Sequence, residues 1–251
     1  MATSTSSSVE ICSAGAGRVW LDQCLAMPQW APLARYNTRY AALQSTVDEV
    51  NRRLGEGLDC HLTVLTPDAI RSLQKAWPER VEWLGSLGLA DTGWVALAED
   101  SRPYDVSTLE SLRQTLMSLE VLLVPDLEQS SGGRHLRHVL QQLAIPASQM
   151  PEVLPYPGGA QAVAALPAHA GRRAMACAQS TEVQTARHAR YLGAFPAPHA
   201  LATEYGVAVL RPSRASPDAQ AAWSVAHELG LYLCAPSQDA MREALGFARL
   251  S

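Results

Sequence analysis

The residues best suited to chemistry form a serine and glycine segment, Ser130-Ser131-Gly132-Gly133, which follows an apolar run at residues 119–124. The apolar run predicts a buried strand, and the spacing of apolar residues over 136–143 predicts a helix after the segment. The first backbone N–H groups of a helix lack intrahelical partners, and the helix dipole places partial positive charge there. The segment can therefore bind an anion, although taken alone it is better explained as a serine helix cap with glycines for the turn.

Other strand-to-helix junctions carry similar small polar residues. Ser13 follows a short strand, and Ser45 with Asp48 is typical of a capping pair at the start of the next helix. Two later junctions contain Gly159-Ala160 and Gln179-Ser-Thr-Glu182. Several such loops together make a small-anion site more plausible than any one loop does.

The alternation of strands and helices predicts an α/β protein with mainly parallel sheets flanked by helices. In such proteins the ligand binds beyond the carboxyl ends of the strands. A length of 251 residues fits one large or two modest domains, and the hydrophobic and charged fractions, 47% and 18%, are those of an ordinary globular protein.

Charge and motif content exclude several classes of function. A net charge of −4 disfavours nucleic acid and anionic membranes as partners, and no apolar run is long enough to span a bilayer. The five cysteines and seven histidines form no metal-binding motif, so we expect no metal and no cofactor. Residues 1–8 are expected to be a disordered tail without a secretory signal, which predicts a cytoplasmic protein as given and a periplasmic one if a native signal was removed.

The order of these segments resembles the type II periplasmic solute-binding proteins, in particular the molybdate-binding-protein-like group with its aconitate-isomerase-like relatives. The resemblance implies one lobe from residues 9–97 and 206–251, a second from 98–205, and crossing strands at 93–97 and 204–210. It also implies that a ligand binds in the cleft between the lobes, which closes by hinge bending. A transport role would add an ABC permease as a partner, and we expect a monomer.

The resemblance also implies which residues bind the ligand. Serine hydroxyls and backbone N–H groups would hold a small anion, and Gln179 stands where the molybdate proteins have a tyrosine. The implied ligand-binding residues are Ser13, Ser45, Ser130, Ser131, Gly132, Gly159, Ala160 and Gln179.

Three functions remain open on this basis. The first is binding of an oxyanion or a di- or tricarboxylate. The second is a cofactor-independent isomerase or tautomerase of a carboxylate, for which Glu182 and His135 are the candidate bases. The third is a sensor that reports the anion to a protein partner.

Alanine substitution tests the first two loops. Ser13→Ala and Ser45→Ala are each expected to weaken anion binding by about 0.5–3 kcal/mol, the cost of a lost hydrogen bond to a charged group. Isothermal titration calorimetry measures the change. Unchanged affinity in both variants would contradict the assignment of these serines to the site.

Overall fold

The computed structural model describes residues 8–128, 130–184, 186–214 and 216–250. The strands are β1 (Ser8–Ala14), β2 (Arg35–Ala41), β3 (Leu62–Leu65), β4 (Val81–Leu97), β5 (Val121–Pro125), β6 (Glu152–Tyr156), β7 (Ala174–Gln179), β8 (Ala189–Ala194), β9 (Leu201–Leu210) and β10 (Phe247–Ala248). The helices are α1 (Arg18–Leu25), α2 (Leu43–Gly55), α3 (Pro67–Ala76), α4 (Leu109–Met117), α5 (Ser131–Leu143), α6 (Gly159–Ala165), α7 (Ser180–Val183), α8 (Pro217–Cys234) and α9 (Asp239–Ala244). The predicted disordered tail lies outside the described residues except for Ser8, which begins β1.

The chain forms two compact units. One contains the described residues up to Leu89 together with those from Glu204 onward, and the other is Ala90–Thr203. The chain passes between them within β4 and within β9. The α/β fold class predicted from the sequence is confirmed, with parallel and antiparallel strand pairs in each unit.

In the first unit the strand order is β2-β1-β3-β9-β4. The strand β1 pairs in parallel with β2 and β3, and β3 pairs antiparallel with β9. Val50 and Leu54 of α2 and Ile70 and Leu73 of α3 are buried against the same core as Cys12 of β1. Burial of this apolar face is what holds α2 and α3 on the sheet.

The second unit has the strand order β4-β7-β5-β6, with β8 also paired to β4. Side chains of β5 alternate between two cores: Leu122 and Val124 pack with α4 and α5, whereas Val121 and Leu123 pack with α6. This alternation is the two-residue period of a strand that is covered on both faces. The arrangement places the starts of α5, α6 and α7 after β5, β6 and β7.

The strand β4 is longer than predicted. The sequence predicted a strand only at 93–97, whereas β4 begins at Val81 and continues through Gly85 and Gly88. Both glycines instead lie where other atoms approach closely, since a Cβ on Gly85 would lie 2.8 Å from Cys234 Cβ and one on Gly88 would lie 2.4 Å from the Ala248 carbonyl oxygen. The glycines therefore permit packing within the strand and do not end it.

Gly93 is the tightest point of β4 in the second unit. A Cβ there would lie 2.1 Å from the Gly193 carbonyl oxygen and 2.5 Å from the Tyr191 hydroxyl. We expect Gly93→Ala to lower the free energy of unfolding by at least about 2 kcal/mol, because backbone atoms would have to move. Gly55→Ala is the control: its Cβ would meet no atom within 4 Å, so urea unfolding should show little change or slight stabilisation. An equal effect of both substitutions would contradict this packing.

Candidate functional site: the starts of helices α5, α6 and α7

Ser130 is the N-cap of α5, so the predicted strand, loop and helix are confirmed at this position. Its hydroxyl accepts a hydrogen bond from the Gly133 N–H at 3.3 Å, and its extended backbone precedes the first helical turn. Gly133 is required here, because a Cβ would lie 2.0 Å from the Asp126 carbonyl oxygen. The N–H groups of Ser131 and Gly132 are the remaining donors of this turn, with the dipole of a 13-residue helix behind them.

A threonine that the sequence did not single out lies beside this turn. Thr92 is 2% exposed, and its hydroxyl has no hydrogen-bond partner among the described residues. A Cβ on Gly132 would lie 3.9 Å from the Thr92 Cγ2 atom. A buried hydroxyl without a partner is costly, so its place next to the open donors of α5 indicates a group kept for a ligand.

Pairing of β4 with β7 brings Thr92 opposite Gln179. Gln179 ends β7, and its side chain accepts a hydrogen bond from the Glu182 N–H at the start of α7. The side-chain carbonyl oxygen of Gln179 is thereby used by the backbone of α7. The second unit therefore brings together the predicted residues Ser130, Gly132 and Gln179.

The Glu182 side chain lies at the starts of both α6 and α7. Its carboxylate accepts a hydrogen bond from the Gln179 N–H at 3.0 Å and another from the Ala160 N–H at the start of α6. A Cβ on Gly159 would lie 2.3 Å from Glu182 Oε2, so only glycine allows this approach. The predicted role of Ala160 in ligand binding stays a prediction.

Burial raises the pKa of Glu182, and the hydrogen bonds from the Gln179 and Ala160 backbones oppose that rise. Its position is that of a reciprocal capping box with Gln179. His135, the other predicted base, has Nε2 2.8 Å from the His199 carbonyl oxygen. Since a carbonyl only accepts, that nitrogen carries the proton and is not available as a base.

Ser131 and Arg134 are exposed residues of the first turn of α5. The Arg134 side chain donates to the Glu128 carbonyl oxygen at 3.0 Å, and Glu128 itself forms an ion pair with Arg137. The first of these contacts ties the start of α5 to the loop that precedes it.

The first unit holds the two remaining predicted residues, Ser13 and Ser45. Ser13 is fully buried at the end of β1, where its hydroxyl donates to the Ala14 carbonyl at 2.8 Å. A Cβ on Gly17, the residue before α1, would lie 2.6 Å from the Ser13 Oγ atom. This places Ser13 at the start of α1, as its position after a strand predicted.

Ser45 does not cap α2, so this part of the prediction is wrong. The helix begins at Leu43 after Ala42, which offers no side-chain cap, and Ser45 is exposed in the first turn. Asp48, the predicted capping partner, instead accepts from Gln44 one turn earlier, at 2.9 Å.

The buried hydroxyl of this turn belongs to the neighbouring Thr46. It lies 3.0 Å from the Ala42 carbonyl oxygen and 3.4 Å from that of Ser13. Thr46 thus joins the start of α2 to the end of β1, which the sequence pattern did not reveal.

A family model described as bacterial extracellular solute-binding protein matches residues 64–223, which is more than half of the chain. The chain belongs to this family. Among solved structures, the periplasmic molybdate-binding protein of Azotobacter vinelandii is similar, with 13% identity, a TM-score of 0.65 and coverage of 97% of this chain and 100% of that one. The sulfate-binding protein SubI of Mycobacterium tuberculosis H37Rv has 15% identity, a TM-score of 0.60 and coverage of 97% and 92%.

These likenesses confirm the resemblance to the type II, molybdate-binding-like group at the level of the fold. No curated protein matches the sequence significantly. Within the described ranges, no three His, Cys, Asp or Glu residues are arranged to hold a metal ion. No helix of the described chain has both the length and the apolar character needed to cross a membrane.

The raised pKa of Glu182 predicts a pH-dependent contribution to stability. A carboxyl group whose folded pKa lies above its unfolded value favours the folded state at low pH, and this contribution is lost as pH rises through the folded pKa. The stability of the protein relative to Glu182→Gln should therefore increase as the pH falls from about 8 toward about 5. Urea unfolding of both proteins at several pH values measures this difference in the free energy of unfolding. The lowered pKa values of Glu10 and Asp100 also make stability depend on pH, but they do so equally in both proteins. A constant difference between the two proteins would contradict the prediction.

Proposed function

We propose that this solute-binding protein captures a small anion, an oxyanion or a small carboxylate, at the start of α5. The observation that carries the proposal is the buried Thr92 hydroxyl, which has no partner among the described residues and belongs to a side chain whose Cγ2 atom would lie 3.9 Å from a Cβ on Gly132. The Thr92 hydroxyl and the Ser131 and Gly132 N–H groups offer hydrogen-bond donors at the positive end of a helix dipole. The similar structures from Azotobacter vinelandii and Mycobacterium tuberculosis are proteins that bind molybdate and sulfate, which supports this ligand class.

Membership in an extracellular family supports a site of action outside the cytoplasm, with an ABC permease as the partner that receives the ligand. The proposed roles of Ser13 and Ser45, and the predicted cleft between two lobes, stay predictions. The isomerase activity also stays a prediction. Both of its candidate bases, Glu182 and His135, already form hydrogen bonds with backbone groups.

Thr92→Val separates the function from the fold. Valine keeps the shape of threonine but lacks the hydroxyl, so the ligand-free protein should become more stable by about 1 kcal/mol, since a buried group without a partner is removed. Affinity for molybdate or sulfate should fall about tenfold or more, because a hydrogen bond to a charged ligand is lost. Urea unfolding and isothermal titration calorimetry measure the two effects.

Thr115→Val is the matched control in the same unit. The Thr115 hydroxyl donates to the Asp105 carbonyl at 2.8 Å, so its removal should destabilise the protein and leave anion affinity unchanged. If Thr92→Val binds both anions as tightly as the parent protein does, Thr92 is not part of the site.

A further inference from the structure

Cys12 and Cys60 form a pair of thiols in the core of the first unit. Cys12 lies on β1 and is 1% exposed, and Cys60 lies just before β3 and is 2% exposed. Both belong to the core that α2 and α3 cover, and their side chains hydrogen-bond to each other. Two sulfur atoms in this contact need only a short further approach to reach the length of a disulfide bond.

Backbone hydrogen bonds fix the two segments that carry these thiols. Cys12 pairs with Thr63 in the parallel ladder between β1 and β3, and the Thr63 hydroxyl donates to the Cys12 carbonyl at 2.8 Å. On the other side, the His61 N–H donates to the Glu10 carbonyl at 2.8 Å. The contact between Cys12 and Cys60 therefore belongs to the sheet and is not a meeting of two mobile side chains.

The two thiols are chemically unequal. The hydrogen bond from the Cys60 thiol is the main reason why the pKa of Cys12 lies below its ordinary value, against the effect of burial, and the Arg53 guanidinium lowers this pKa further. The same hydrogen bond and burial raise the pKa of Cys60. Arg53 is held beside the pair because it donates to the Asp59 carbonyl at 2.7 Å. Cys12 can therefore start a thiol-disulfide exchange that Cys60 completes.

The other three cysteines are in a different situation. Burial is the largest cause of the raised pKa of Cys24, Cys177 and Cys234. A buried thiol with a raised pKa carries little thiolate and exchanges slowly. Cys12 is the cysteine whose pKa is lowered, and it has a second thiol in contact with it.

A bond between Cys12 and Cys60 would close residues 12–60 into a loop. This loop contains α1, β2 and α2, and β2 is an edge strand of the sheet that has no buried residue. A disulfide restricts the unfolded chain, and the restriction grows with the length of the loop that it closes. The bond would therefore stabilise a part of the unit in which β2 gains little from burial.

We propose that Cys12 and Cys60 form a disulfide bond that stabilises the first unit, with a small-molecule disulfide such as oxidised glutathione as the oxidant. The chain belongs to a family described as extracellular, and disulfides persist outside the cytoplasm. The Cys12 thiolate attacks one sulfur of the oxidant and releases the other sulfur as a thiolate. Cys60 then loses its proton to solvent, attacks the Cys12 sulfur and releases the second thiolate. Two protein thiols are thereby oxidised, and one disulfide is reduced to two thiols.

Refolding of the reduced full chain from urea in a mixture of oxidised and reduced glutathione tests the proposal, because both thiols are accessible before the core closes. After alkylation of the free thiols and digestion with trypsin, the peptides 1–18 and 54–71 should be joined, and the protein should keep two fewer free thiols than its five cysteines. Cys12→Ala should give no joined peptide. Cys177→Ala, the matched control in the core of the second unit, should give as much as the parent. Alkylation of both Cys12 and Cys60 in the refolded parent overturns the inference, and so does the joining of either to another cysteine.

Urea unfolding gives a second measurement. The oxidised parent should unfold at a urea concentration about 1 M higher than the parent reduced with dithiothreitol, since the closed loop restricts its unfolded state. Cys60→Ala should unfold at the same concentration with and without dithiothreitol. An oxidised parent that unfolds at the same or a lower concentration than the reduced one overturns the inference. Neither measurement involves an anion, so the proposed function is tested separately.

Discussion

The pairing of β4 with β7 is the constraint on which the candidate site depends. It sets Thr92 opposite Gln179, and Gln179 then caps the short helix α7. The Glu182 N–H donates to the Gln179 side chain, and the Glu182 carboxylate accepts from the Gln179 N–H. Because β5 lies on the other side of β7, the start of α5 comes to the same edge of the sheet. A slip of one residue would turn Thr92 to the opposite face and separate these groups.

Close backbone approaches keep this register in place. Gly93 lets the Gly193 carbonyl approach β4, and Gly159 lets Glu182 reach the backbone of Ala160. These two glycines do not serve turn conformations. Neighbouring atoms fill the space that a side chain would otherwise take, so the polar groups around these glycines have little freedom to move.

The same edge combines two opposing electrostatic features. The first turn of α5 offers neutral donors and partial positive charge, which favour an anion. The Glu182 carboxyl group is buried at the starts of α6 and α7, where burial raises its pKa and backbone hydrogen bonds from Gln179 and Ala160 oppose that rise. The charge at this edge of the sheet therefore depends on pH.

Local patterns in the sequence determined most of the strands and helices and the capped start of α5, because apolar periodicity and serine with glycine act over a few residues. The order of the segments also determined the family resemblance, which the family model confirms. The sequence alone did not reveal the length of β4, Thr92, or the use of the Ala160 N–H by Glu182. Those features depend on which strands pair and on which atoms a glycine admits, and only the tertiary structure brings such distant residues together.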